Sequence, residues 1–314
     1  MIINFSIQNF GSIKDKQTLS FEADKSAHLE NYYVIQTNGL RLLKLGLIYG
    51  ANASGKTTVL NALQFLRNVV LKPDNQKNET FQFEPFLFDR ETPNQNTILS
   101  LEFIQNNIVY CYEVELNKKA IVREKLQNRN PNKSLVYKRT TDLDKQFTQI
   151  TFGSRLKPDK VFEKTLTSNT LWNNTVLGGF LKTNIEVKEL KDVTDWFEKY
   201  LNPLISPRTK LDDSISAQAD KPDVQKRIVL EILRKADFNI SDISIKSKAY
   251  DYPVVSDFNT QKALEDWKTS IHSLNYKEIK LEHTVSSSKY TLPFEEESKG
   301  TQRYYGLAGI LYLS

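Results

Sequence analysis

Eight consecutive residues carry the clearest chemistry in this chain: Gly50-Ala51-Asn52-Ala53-Ser54-Gly55-Lys56-Thr57. Two glycines, a lysine and a hydroxyl stand at the spacing G-x-x-x-x-G-K-[ST], followed by Thr58. Such a loop bends tightly and brings bare backbone N–H groups up to an anion. At the head of a helix, the unpaired N–H groups and the helix dipole add to that attraction. The motif therefore predicts a phosphate-binding loop for a nucleoside triphosphate, ATP, with Mg²⁺. Lys56 reaches the β- and γ-phosphates, the Thr57 hydroxyl ligates Mg²⁺, and Thr58 supplies a further hydroxyl.

A second constellation lies near residue 300: Glu295-Glu296-Glu297-Ser298-Lys299-Gly300-Thr301-Gln302-Arg303. Ser298 is a good helix N-cap, and Gly300 keeps the first turn open to close approach. A hydroxyl, a bare backbone and a helix start also suit an anion, so capping alone and anion binding both remain open.

The elements that must position these residues can be read from periodicity. The apolar run Leu42–Tyr49 predicts a buried central strand running into the loop. Val59, Leu63, Leu66 and Val70 predict a helix leaving it, ended by Pro73-Asp74-Asn75. Ile3, Phe5 and Ile7 alternate, so a strand covers about 2–9, with a turn at Phe10-Gly11-Ser12 and a second strand over Thr18–Ala23. Residues 24–39 read as a loop with a short strand near Tyr32–Ile35. Strands are expected at Phe81–Phe88, Thr97–Ile104, Ile108–Leu116, Ala120–Asn128, Ser134–Lys138 and Phe147–Phe152. Their short links make an antiparallel meander. Helices are expected near Asn169–Phe180, Val187–Leu201 and Val224–Ala236, with a polar loop over 208–222. Strands follow at Ile240–Ser247, Tyr276–Val285 and Lys289–Pro293, then a helix over Ser298–Leu313. Trp172, Trp196 and Trp267 read as core or interface anchors.

Composition narrows the class. The 314 residues are 39% hydrophobic and 26% charged, which suits a water-soluble globular chain. No apolar run is long enough for a membrane span. The start, Met1-Ile2-Ile3-Asn4-Phe5, lacks the charged head and apolar core of a signal peptide. One cysteine, Cys111, permits no internal disulfide, and three histidines leave little material for a zinc site. The expected compartment is the cytoplasm. Formal charge is +5. From Asn117 to Lys164 thirteen Lys/Arg face five Asp/Glu, a local +8 that leaves −3 elsewhere. Residues 117–164 are thus either a solvated strand surface or a face for nucleic acid.

Taken together, the loop at 50–57 and the Ser-x-Gly helix start at 298–300 resemble the Walker A and signature motifs of ABC-type ATPases. Asn9-Phe10-Gly11-Ser12-Ile13 resembles the first-strand turn of their SMC-like branch. More narrowly, the chain resembles the AAA family ATPases of bacterial abortive-infection and phage-defence systems. It shares their Gly-Ala-Asn-Ala-Ser-Gly-Lys-Thr loop, a Pro-Phe pair (Pro85-Phe86), a meander like Leu101–Glu115, and a Ser-x-Gly-Thr-x-Arg signature. The resemblance covers most of 1–150 and 290–314. It implies an α/β P-loop NTPase fold: an ABC ATPase head with an antiparallel β-meander lobe and a helical insertion. The implied organisation is a nucleotide-binding lobe over 1–153, a mainly helical insertion over 154–290, and a signature helix over 291–314.

By the same resemblance, ATP on one subunit is closed over by Ser298, Lys299, Gly300 and Thr301 of another. The implied protein is a switch ATPase that dimerises around ATP and controls a toxic effector, a nuclease or other toxin, as the sensor subunit of a defence system. No membrane partner is implied. Glu297, Lys299 and Thr301 depart from the commonest signature, Leu-Ser-Gly-Gly-Gln. Gln82 is the candidate for the Q-loop glutamine, a further Mg²⁺ contact. The Walker B carboxylates are expected beyond Ser314, so the catalytic residues are not identified. Two alternatives remain: the ATPase portion of an overcoming-lysogenisation-defect-like nuclease, and an SMC-like DNA repair protein. The latter expects a long coiled coil, yet 153–290 shows prolines and no sustained heptads.

Overall fold

The computed structural model describes all residues except 53, 75, 130–131, 155, 157, 207–208, 210–221, 237–238, 254–270 and 314. For 222–225, 247–253, 271–277 and 310–313 only the backbone is described. Ala53, Asn75, Trp267 and most of the expected 208–222 loop therefore lie outside the described residues. The chain forms two compact units, Met1–Leu204 and Ile205–Ser314.

The first unit is built on a seven-stranded sheet. Its strands are β1 (Ile2–Gln8), β2 (Gln17–Ser20), β5 (Thr97–Gln105), β6 (Ile108–Leu116), β7 (Ile121–Arg129), β8 (Lys133–Asp142) and β9 (Phe147–Phe152). Their spatial order is β2-β1-β5-β6-β7-β8-β9, and every neighbouring pair is antiparallel. Alternation does its usual work: Phe5, Ile7, Leu99, Leu101, Phe103, Tyr110, Tyr112, Val114 and Leu126 point to one face and are buried. Four helices pack there: α2 (Lys56–Leu71), α3 (Lys160–Asn169), α4 (Val176–Phe180) and α5 (Lys188–Lys199). Leu66 and Val70 of α2 and Trp196 and Phe197 of α5 fill the core, with Trp196 stacked 4.1 Å from Phe103. A small hairpin of β3 (Val34–Thr37) and β4 (Leu40–Leu43) follows a single-turn α1 (Glu30–Tyr33).

One buried ion pair crosses the meander. Glu124 accepts hydrogen bonds from Tyr112 (2.9 Å), Tyr137 (2.6 Å) and the Val176 N–H (2.8 Å), while Arg139 Nη1 stands 3.9 Å away. Arg139 also donates to Thr148 and to the Leu171 and Trp172 carbonyls. Burial pushes the Glu124 carboxyl upward, opposed by Arg139, and lowers the guanidinium to about 10. Arg139 thus leaves the candidate nucleic-acid surface. The open face carries Arg123, Lys125 and Lys138 instead. Glu113 lies opposite Lys125 in the ladder, and Glu115 pairs with Arg123 at 3.7 Å.

Three expectations fail, each for a physical reason. Leu42–Tyr49 is not a buried strand. Only its start lies in β4, and Leu45, Leu47 and Tyr49 are 57%, 66% and 85% exposed. A strand exists through its ladder, and the last rung here is Lys44 N–H to the Tyr33 carbonyl at 2.8 Å; among the described residues no strand pairs with 45–50. Phe81–Phe88 is not a strand either. Its rings build an aromatic cluster, Phe83 stacked 5.5 Å from Phe10 and Phe81 edge-on to Phe65, and Phe86 N–H donates to Asn9. The expected helix over Asn169–Phe180 splits. Trp172, Asn173 and Asn174 leave the helix to donate to carbonyls of the loop after α2, and Thr175 caps α4 by accepting from Gly178 N–H.

The second unit holds α6 (Pro222–Lys235), a three-stranded antiparallel sheet of β10 (Ile240–Pro253), β11 (Ile271–Val285) and β12 (Ser288–Pro293), and α7 (Lys299–Leu313). Its core joins Leu233, Ile243, Leu281, Phe294, Tyr305 and Ala308.

Candidate functional site

The loop before α2 has the geometry that its residue types demand. Gly55 sits at φ +88°, a region costly for any side chain. A Cβ on Gly50 would come within 2.7 Å of Ser54 Oγ, so any larger residue there would push the Ser54 hydroxyl aside. Ser54 N–H donates to the Ala51 carbonyl at 3.3 Å. The loop wraps the Lys56 side chain, whose Nζ donates to the carbonyls of Gly50 (2.9 Å) and Ala51 (2.6 Å). The first helical bond of α2 runs from Val59 N–H to Gly55. The N–H groups of Lys56, Thr57 and Thr58 precede it and have no partner within the helix. Asn52 and Thr57 are exposed, and the Thr57 hydroxyl makes no hydrogen bond among the described residues. A cation ringed by carbonyls, three open N–H groups and a free hydroxyl fit a triphosphate with Mg²⁺.

The turn after β1 clamps this loop. Ser12 Oγ and Thr58 Oγ1 share a hydrogen bond at 2.8 Å. Asn9 is buried at φ +53° and ties three segments together. Its amide donates to the carbonyls of Thr92 (2.8 Å) and Gln95 (2.9 Å), and its Oδ1 accepts from Phe86 N–H (2.9 Å). Gly11 N–H donates to the Glu84 carbonyl at 2.7 Å. Lys14 Nζ reaches Asp89 at 2.6 Å. That ammonium, with Thr92 donors, holds the Asp89 carboxyl well below the usual carboxylate range. The Asn-Phe-Gly-Ser motif and the Pro-Phe pair, separated by more than seventy residues, are therefore one assembly.

Gln82 is exposed, and its amide donates to the nearby Thr80 carbonyl at 3.2 Å. Among the described residues no hydrogen bond joins it to the loop. In the second unit, Ser298 caps α7. Its Oγ accepts from Thr301 N–H at 3.0 Å and lies 2.8 Å from Thr301 Oγ1. Ser298, Lys299 and Gly300 are exposed, whereas Thr301 is buried. The Gln302 amide donates to the carbonyls of Phe294, Glu295 and Glu297, and His283 meets Glu297 at 2.5 Å. These contacts fix the backbone just ahead of Ser298. Sequence reasoning passed over them, as it passed over Asn9, Ser12 and Lys14 as working parts. The Asn-Phe-Gly-Ser pattern was the available signal for Asn9 and Ser12; nothing in the pattern marks Lys14.

Among the described residues no group of three or more His, Cys, Asp or Glu could hold a metal ion, and no helix is long and apolar enough to cross a membrane. A model of the family described as "AAA domain, putative AbiEii toxin, Type IV TA system" matches residues 47–314. No curated protein matches the chain.

Proposed function

Because the chain belongs to this AAA-domain family of P-loop ATPases, we propose that it binds ATP with Mg²⁺ at residues 50–58 and uses the nucleotide as a switch. The observation that carries this reading is Lys56, folded into the Gly50 and Ala51 carbonyls at the open N-terminus of α2. On binding, Lys56 exchanges those carbonyls for phosphate oxygens, a charge-assisted contact of greater strength. The N–H groups of Lys56, Thr57 and Thr58 hold the remaining oxygens. The Thr57 hydroxyl holds Mg²⁺, which neutralises charge between the phosphates.

In the same proposal, Ser298 and Gly300 of a second copy close on the γ-phosphate, so that ATP joins two chains and hydrolysis parts them. The exposure of Ser298, Lys299 and Gly300 at the head of a fifteen-residue helix supports this. The family's description, a putative toxin of a toxin–antitoxin system, supports a toxin–antitoxin setting. Within that setting the proposal makes this chain the switch that controls a toxic protein effector during anti-phage defence. Calorimetry of ATP–Mg²⁺ binding by the chain and by Lys56→Ala tests the nucleotide site. Equal affinities would remove it.

A further inference from the structure

We propose that the groove between the free edge of β9 and the outer side of α3 docks an extended acidic peptide of a protein partner. The peptide adds to the sheet as a further strand and sets two carboxylates against Lys160 and Lys164.

The edge is open to pairing. β9 ends the seven-stranded sheet and is paired with β8 alone. Gly153 N–H donates to the Val136 carbonyl at 2.8 Å, just past the rung of Phe152 and Tyr137. Counting back from that bond, Gln149 and Thr151 turn their N–H and C=O groups toward β8, while Thr148 and Ile150 turn theirs outward. Among the described residues no backbone group outside the ladder bonds to Thr148 or Ile150. Sheet edges are ordinarily guarded by a lysine, a proline, a bulge or shortness. Phe147-Thr148-Gln149-Ile150-Thr151-Phe152 has no charge and no proline, and its ladder with β8 keeps one register throughout. The opposite edge, β2, is only four residues long.

A groove of about 470 Å³ runs beside this edge. One wall is Phe147 to Ile150; the other is Lys160, Glu163, Lys164, Thr167 and Ser168. Those five recur at helical spacing and form one stripe of α3. Phe162 and Leu166 of the same helix are buried in the core, with the Phe162 ring 5.4 Å from that of Phe152. That packing holds the stripe at a fixed distance from the strand.

Charge names the occupant. Residues 154–168 carry four Lys/Arg and two Asp/Glu. Asp159 is committed to the helix cap, accepting from Phe162 N–H at 2.7 Å. Lys160 and Lys164 are exposed and make no ion pair among the described residues. They stand one turn apart, about 6 Å along the helix axis. Alternate residues of an extended chain lie about 6.6 Å apart on one side. Two carboxylates separated by one residue therefore meet both ammonium groups, and Glu163 in the same stripe disfavours a longer acidic run. Main-chain bonds to Thr148 and Ile150 supply affinity, and the lysines supply choice.

The experiment selects short random peptides by display on the full 314-residue chain and measures the best binder by calorimetry. Selected peptides should carry two acidic residues separated by one position. Lys160→Glu/Lys164→Glu should weaken the best binder about tenfold or more, whereas Lys133→Glu/Lys138→Glu should change it less than about threefold. Methylating alternate backbone nitrogens of the peptide should abolish binding for one parity and spare it for the other. Amide exchange should slow at Thr148 and Ile150 on binding and stay unchanged at Gln149 and Thr151. Thermal unfolding reports whether the Lys160→Glu/Lys164→Glu variant folds; if it does not, peptide methylation and amide exchange decide. Selection without acidic enrichment, binding indifferent to the Lys160 and Lys164 reversals, or equal tolerance of both methylation parities overturns the proposal. So does slowed exchange at Thr148 and Ile150 with DNA or RNA oligonucleotides and not with peptide, which assigns the groove to nucleic acid. Slowed exchange that grows with protein concentration alone also overturns it, since a second copy of the chain then covers the edge.

Discussion

Ser12 and Thr58 stand forty-six positions apart, yet their hydroxyl oxygens lie 2.8 Å from each other. Thr58 follows Thr57, the residue proposed to hold Mg²⁺, and Ser12 belongs to the turn that Asn9 anchors. The bond joins the phosphate loop to the 84–96 segment by a short chain of contacts: Thr58 to Ser12, Gly11 to Glu84, and Asn9 to Phe86, Thr92 and Gln95.

Asn9 is the residue on which that assembly depends. Asn9→Ala should destabilise the protein by about 2–4 kcal/mol, because it orphans Phe86 N–H and two carbonyls and places alanine at positive φ. Asn9→Gly relieves the backbone strain and should recover about 1 kcal/mol of that loss. Urea unfolding of the three proteins checks this. An Asn9→Ala variant as stable as wild type would show that the turn is held by packing alone.

The buried pair of Glu124 and Arg139 predicts a pH-dependent penalty. Arg139→Met leaves the Glu124 carboxyl without its cation and should cost about 3–5 kcal/mol near neutral pH. Burial already raises the folded-state pKa of Glu124, and losing Arg139 raises it further. A raised carboxyl favours the folded state when protonated. Its contribution is full below the unfolded value and lost as pH rises through the folded one. The penalty of Arg139→Met should therefore shrink as pH falls toward about 5. Urea unfolding at two pH values measures it, and a penalty independent of pH would contradict the burial argument.

The basic strands predict a salt-sensitive but non-specific affinity. Binding of duplex DNA or RNA should fall steeply with salt, and Lys133→Glu/Lys138→Glu should weaken it further. Arg139 does not belong in such a variant, since its side chain is buried. Absence of binding at low salt would mean that Glu113 and Glu115, facing Lys125 and Arg123 across the ladder, leave an ordinary solvated surface.

Ser298→Arg separates capping from partner contact. ATP binding should be nearly unchanged, because the phosphate loop is untouched, while ATP-driven self-association followed by light scattering should disappear. The cap itself is worth only about 1 kcal/mol, which thermal unfolding will register. Association that persists in Ser298→Arg would leave Ser298 as a helix cap and nothing more.

Local pattern and through-space partnership divide what could be read in advance. Strand bounds at Ile108–Leu116 and Phe147–Phe152 match the alternation of their own residues. The helix after the loop was legible because its apolar residues recur on one face and a glycine precedes it. Leu42–Tyr49 misled because an apolar run does not say which strand will pair with it. Phe81–Phe88 misled because its alternating aromatics pack on Phe10 and Phe65 while Pro85 interrupts the backbone donors. Arg139 looked like one more surface cation because strand parity alone does not reveal a carboxylate at the same level of the neighbouring strand. Asn9 and Ser12 act on residues far along the chain, which no local pattern records.

The central claim is that Lys56 and its loop bind the phosphates of ATP, and calorimetry with ATP–Mg²⁺ tests it most directly. Charge-assisted contacts of this kind are worth roughly 1.5–3 kcal/mol, so Lys56→Ala should weaken binding about tenfold or more. Wild-type affinity in Lys56→Ala, or no ATP binding by the unaltered chain, would contradict the account.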